Sequence, residues 1–143
     1  MQQSHTFSVY IAASSAPSEV ERAKQCGARL TAAGVNVVST WTAAVDVHGG
    51  NPRDAAVGQR RHWAARDLLE LGRADALWLL CPPTEAPTRG AWVELGAAYM
   101  RAMLVVSSGD TRQSIFTALT EEFATDEDAH DALVLVAAKR TAP

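Results

Sequence analysis

The chain has 143 residues, of which 48% are apolar and 20% charged. That suits one domain able to bury roughly 68–70% of its unfolded surface without the help of a disulfide or metal. A formal net charge of −3 argues against a protein that coats a nucleic-acid polymer. No apolar run approaches the roughly 18 residues of a membrane span. The opening residues, MQQSHTFSVYIAAS, lack the basic flank and long apolar core of a signal peptide.

Residues 7–13, FSVYIAA, read as a first strand. A turn over 14–18 follows, in which Pro17 suits a helix entry and the serines offer caps. The spacing of Val20, Ala23, Ala28 and Leu30 predicts a helix over 18–33, stopped by Gly34. Residues 35–41, VNVVSTW, are the expected second strand, ending in Trp41. A long connection over 42–57 contains a Gly-Gly-Asn-Pro turn at 49–52, and connections of that length are often functional. The second helix is expected over 58–73, with Trp63, Ala64, Ala65, Leu68, Leu69 and Leu71 as its apolar positions. Asp67 lies one turn from both Trp63 and Leu71, at the edge of that stripe. The plain alternative for Asp67 is a solvated acid paired with Arg66 or Arg60.

Residues 76–81, ALWLLC, form a short apolar run bounded by turn residues. This predicts a strand buried on both faces, inside a parallel sheet. Pro82, Pro83 and Pro87 then set a loop. Gly90 opens a helix over 90–101 that carries Glu94 in about its first turn. Acids are common there because the helix N-terminus favours negative charge by ~0.3–1 kcal/mol. Residues 103–107, MLVVS, are the fourth strand, 107–110 its terminal loop, 113–120 a short helix and 122–124 a brief fifth strand. Thr125 caps a last helix running to about Lys139, and the tail 141–143 is expected to fray. Strand and helix alternate throughout. That predicts a single α/β domain over 1–143, a flavodoxin-like three-layer sandwich with a mostly parallel five-stranded sheet in the order 2-1-3-4-5.

The first strand runs into Ala12-Ala13-Ser14-Ser15-Ala16, with neither a Gly-rich dinucleotide fingerprint nor a Walker lysine motif. Cys26 and Cys81 have no metal spacing, and His5, His48, His62 and His130 are scattered. No metal or cofactor is expected. The two thiols read as buried cysteines of a reducing, cytoplasmic compartment.

Several segments carry a resemblance: VYIAAS around Tyr10, VVSTW at Trp41, RDLLELGRAD with Asp67 and Asp75, TRGAWVELGAAY with Glu94, SSGDTRQSIFTAL, and the acidic TDEDAHDAL. In that order they resemble the nucleoside 2-deoxyribosyltransferase-like superfamily, which includes nucleoside-monophosphate N-glycosidases. The resemblance covers Val9 to about Leu133, and its most specific piece is G-x-x-x-E-L-G. It implies that Glu94 attacks the anomeric carbon of a (deoxy)ribose to form a glycosyl-enzyme ester, in a retaining double displacement. Asp67 matches the aspartate that assists the leaving base, and Tyr10 the tyrosine that orients the nucleophile. Ser14 lies where the nucleotide-hydrolase branch places a serine at the sugar or phosphate. Thr88 and Gly90 would offer a hydroxyl and backbone N–H groups to substrate, and Trp41 a face for the base. The helix N-terminus is expected to keep Glu94 ionised at neutral pH.

Thr88 stands where many transferases of that superfamily carry an acid, which leans toward a nucleotide hydrolase. Ser15, Ala16 and Pro17 stand where the hydrolases often have an arginine, which leaves Arg53, Arg60, Arg61 or Arg89 as substitutes. The implied partner is a nucleoside or its 5′-monophosphate, with a homodimer or higher oligomer completing the sites. Two alternatives stay open, a silent nucleotide-binding or sensor module and an NAD glycohydrolase. A receiver domain is disfavoured because the first strand has no acidic pair.

Overall fold

The computed structural model describes residues 5–49, 52–82 and 88–141. Its strands are β1 (Ser8–Ala12), β2 (Asn36–Val37), β3 (Ala76–Cys81), β4 (Leu104–Gly109) and β5 (Glu121–Phe123). The α-helices are α1 (Pro17–Ala32), α2 (Trp41–His48), α3 (Val57–Leu71), α4 (Arg89–Met100) and α5 (Asp126–Thr141). Short 3₁₀ turns occupy Pro52–Asp54, Thr111–Gln113 and Ile115–Leu119. The strands form one parallel sheet in the order β2-β1-β3-β4-β5. Helices cover both faces, with α1 packed on α5 and α3 on α4. This is the three-layer α/β architecture that the alternating pattern predicts.

Central strands of a parallel sheet are covered twice, so they must be apolar throughout. All five residues of β1 and all six of β3 are buried. The edge strands are short and exposed, as edges are when further pairing is to be avoided. Alternation along β1 divides its side chains between the two helix layers. Ile11 faces α1, where Gly27 approaches it, and Tyr10 reaches α4.

The stretch after β2 departs from the sequence expectation. The predicted strand over 35–41 is paired only at Asn36 and Val37, and Trp41 opens a helix instead of ending a strand. Side chains take over the ladder here. Ser39 Oγ accepts the Ile11 N–H at 3.1 Å, and the Trp41 indole N–H donates to the Ile11 carbonyl at 2.7 Å. With both polar groups of Ile11 satisfied, the strand has no further pairing to make. Glu70 on α3 then accepts the Thr40 N–H at 2.9 Å and the Thr40 hydroxyl at 2.5 Å. The connection expected over 42–57 therefore contains α2 and a 3₁₀ turn. The loop set by Pro83 and Pro87, Gly50 and Asn51 of the 49–52 turn, and the last two residues of the tail lie outside the described residues.

A charged cluster ties α1 and α5 to the carboxyl ends of β3 and β4. Arg22 donates to both oxygens of Asp126 at 2.7 Å, to the Cys81 carbonyl at 2.7 Å and to Glu19 at 2.9 Å. Asp126 also accepts from Ser108 Oγ, which takes the indole N–H of the buried Trp78. The cluster explains Gly109 (φ +94°), whose missing Cβ would stand 2.6 Å from the Cys81 carbonyl and 2.9 Å from Arg22 Nη2. Burial pushes the Asp126 carboxyl up, but the Arg22 and Ser108 hydrogen bonds outweigh it and hold it below its ordinary value. Its contribution to stability is thus present above the unfolded carboxylate range and is lost as pH falls through the lower folded value.

Arg22→Met strands Asp126 without its cation and should cost about 3–5 kcal/mol in urea unfolding at pH 7. The loss should shrink as Asp126 is protonated below about pH 4, a trend read from the same melts repeated down the acid limb.

Candidate functional site

In a sheet of this order the connections leave β1 and β3 in opposite directions, which opens a crevice beyond their carboxyl ends. A cavity of about 230 Å³ lies there. Ala13 follows β1, Trp41, Ala44 and Val45 come from α2, and Trp63, Arg66 and Asp67 from α3. Thr88, Gly90, Ala91 and Glu94 come from α4 and its cap, and Ser15 and Pro52 close the wall. A wider depression of about 800 Å³ adjoins it, sharing Ser15, Val45, Pro52 and Gly90 and adding Arg53 and Arg89.

Glu94 sits just off the stripe by which α4 packs on the sheet, formed by Ala91, Leu95 and Ala98. Its Oε1 accepts the Tyr10 hydroxyl at 2.8 Å. Tyr10 is fully buried in β1, so a rigid strand fixes this bond. Asp67 comes from α3, which is patterned unusually for a packed helix. Its half-buried positions include Arg66, Asp67 and Glu70, while Leu68 and Leu69 are exposed. The apolar stripe expected on this helix holds at Leu71, which is buried, and fails at Leu68 and Leu69. Arg66 and Asp67 turn onto the cavity, and Glu70 onto Thr40.

The carboxyls are electrostatically poised. Burial, helped by Asp67 and Glu70, pushes Glu94 up to about 8 against the opposing Tyr10 hydrogen bond. Burial likewise raises Asp67 despite the Arg66 guanidinium, which donates to Asp67 Oδ1 from Nη2 at 2.6 Å and from Nε at 3.0 Å. Burial and the same carboxylates push the Tyr10 hydroxyl far above its usual range, so it serves as a donor. The expectation that the helix N-terminus keeps Glu94 ionised is thereby corrected. The helix begins at Arg89, which puts Glu94 in the second turn, beyond the reach of a terminal field that fades within the first.

Six of the residues singled out from sequence meet here: Glu94, Asp67, Thr88, Gly90 and Trp41 line the cavity, and Tyr10 stands behind Glu94. Trp41 is both packed and part of the wall. Ser14 does not line the cavity. It is buried, and its hydroxyl accepts the Ala16 N–H at 3.1 Å, which shapes the turn into α1 and leaves Ser15 as the lining serine. Asp75, the second acid of the RDLLELGRAD segment, is at the other end of the sheet, where it accepts the backbone N–H and the hydroxyl of Ser8. Sequence reasoning missed Arg66 and Glu70 as parts of the site. It also missed the role of α2, whose His48 ring meets Trp63 edge-on at 5.1 Å. An Arg-Asp pair one turn after a tryptophan was the available signal.

Among the described residues no helix is long and apolar enough to cross a membrane, and no cluster of His, Cys, Asp and Glu could hold a metal ion. No family model matches the chain, and no curated protein matches it.

A carboxyl raised in the folded state favours folding fully below its unfolded value of 4.5 and loses that contribution as pH climbs through about 8. Glu94→Gln should therefore leave Tm nearly unchanged at pH 5 and raise it by on the order of 5 °C at pH 9, as read by scanning calorimetry at the two pH values.

Proposed function

We propose that the protein cleaves or transfers the N-glycosidic bond of a (deoxy)nucleoside or its 5′-monophosphate through a glutamyl-glycosyl intermediate. The observation that carries this function is the convergence of Glu94, with its Tyr10 hydrogen bond, and Asp67 on one indole-walled cavity at the carboxyl end of a parallel sheet. The likeness of the VYIAAS, RDLLELGRAD and GAWVELG segments to nucleoside 2-deoxyribosyltransferase-like enzymes supports the same assignment.

The chemistry runs in two displacements. A Glu94 carboxylate oxygen bonds to C1′ as the bond from C1′ to the base nitrogen breaks, with its electron pair leaving on the base. Asp67 gives that base a proton. The Tyr10 hydroxyl holds the other lobe of the nucleophile and keeps its lone pairs directed at the sugar. Water, deprotonated by Asp67, then attacks C1′ and releases Glu94; a second base in place of water makes the reaction a transfer. Low dielectric around Glu94 disfavours the isolated carboxylate, which sharpens its attraction for the positive charge that develops on the sugar. Thr88 in place of an acid supports hydrolysis over transfer. Arg53 and Arg89 on the adjoining depression support a 5′-phosphate.

The exposed apolar side chains of α3 and α4 support a homo-oligomer. Leu68, Leu69, Val93 and Met100 are 45–83% exposed on helices that pack against each other, and a second copy of the chain would cover them. Two buried free thiols, Cys26 and Cys81, support a reducing, cytoplasmic location.

Base release from a panel of deoxynucleosides and their 5′-monophosphates, with and without a free acceptor base, tests the assignment. Glu94→Ala should abolish release, and Asp67→Asn should lower it about 10²–10⁴-fold; release that survives Glu94→Ala removes the ester route. The wild-type rate should fall as pH rises through about 8, where the pair loses the one proton that Asp67 must hold as the base leaves while Glu94 is ionised. Light scattering should give a dimer or larger species that Val93→Glu converts to monomer.

A further inference from the structure

Arg66 is the one cation on the wall of the 230 Å³ cavity among the described residues. Its guanidinium has five N–H donors. Two of them, one on Nε and one on Nη2, go to the same atom, Oδ1 of Asp67. The remaining three find no partner among the described residues, and neither does Asp67 Oδ2. The side chains are 24% and 21% exposed, and both line the cavity. Donor groups kept half-dry carry a desolvation cost until an acceptor arrives. The two indoles of Trp41 and Trp63 make the remaining wall suitable for a flat heterocycle.

Given the glycosidase assignment, on which this rests, we infer that Arg66 selects the leaving base by donating to a ring-carbonyl oxygen. The cavity then takes carbonyl-bearing bases and discriminates against adenine, whose exocyclic amine would meet a donor with a donor. Asp67 Oδ2, held beside the guanidinium by the shared Oδ1, is left to the neighbouring ring nitrogen. A base read in this way presents two adjacent acceptors to two adjacent donors, the arrangement by which arginine distinguishes one base edge from another.

Deoxyinosine and deoxyadenosine 5′-monophosphates share N7 and differ in the C6 group, an oxygen in one and an amine in the other, with the N1 proton that accompanies the oxygen, so the comparison between them tests the contact. The wild type should favour the inosine substrate by about 5- to 150-fold in kcat/KM. Arg66→Met keeps the length of the chain and removes every donor, so it should cut the ratio to less than about 3-fold, whatever happens to the absolute rate. Arg66→Gln, a milder change, should also relax it and serves if the methionine variant does not fold. Calorimetric binding of both nucleotides to Glu94→Gln gives the same ratio without turnover. A binding preference without base release would sink the glycosidase assignment and spare base selection. Equal treatment of the two nucleotides by the wild type, or an undiminished preference in both Arg66 variants, overturns the role of Arg66 alone.

Discussion

The hydrogen bond from the Tyr10 hydroxyl to Glu94 joins a fully buried strand to the carboxyl proposed as the nucleophile. Burial of the carboxyl is unfavourable when it is charged, and Asp67 and Glu70 on the facing helix add to that penalty. Among the described residues the phenol is the one hydrogen-bond partner of the carboxyl, and it favours the ionised form. It also fixes the carboxyl's position, since Tyr10 is wholly buried in a strand paired on both sides. The other parts of the site are arranged around this bond. α3 brings its acids inward to face it, and α2 closes the cavity above it.

Two polar clusters hold the sheet that carries this bond. At the carboxyl end, Arg22 and Asp126 bind α1 and α5 to β3 and β4. At the amino end, Asp75 gathers the backbone and hydroxyl of Ser8 and the ring of His5. Each uses a carboxylate to satisfy groups at strand ends that no ladder can reach. The crevice between β1 and β3 is thereby free to hold groups that are only partly satisfied, and Arg66 and Asp67 are such groups.

The central elements were legible in the residues. Ala76–Cys81 reads as a twice-buried strand because nothing in it is polar, and the structure agrees to the residue. The helix carrying Glu94 was legible as the pattern that Gly90 opens over 90–101, and the structure has it at Arg89–Met100. The region after β2 was not. VNVVSTW has strand composition, yet only Asn36 and Val37 pair. Ser39 and Trp41 end the strand through contacts with Ile11, about 30 positions away in the chain, and no local pattern encodes a contact of that range. α3 was misread for a related reason. Leu68 and Leu69 look like core residues to a periodicity argument, and only the location of the cavity shows that the other face of the helix turns inward.

Sequence alone determined the alternation of strands and helices, the parallel sheet, and the presence of Tyr10, Asp67 and Glu94 on three separate elements. These follow from local propensity and hydrophobic period, which each segment carries within itself. Tertiary structure decided that the three side chains share one cavity, that Glu94 lies too far along its helix for the dipole to keep it charged, and that Arg66, rather than any glycine-rich loop, lines the wall with Asp67. Those outcomes depend on desolvation and on distances between residues remote in the chain, and such quantities come into being only when the layers close.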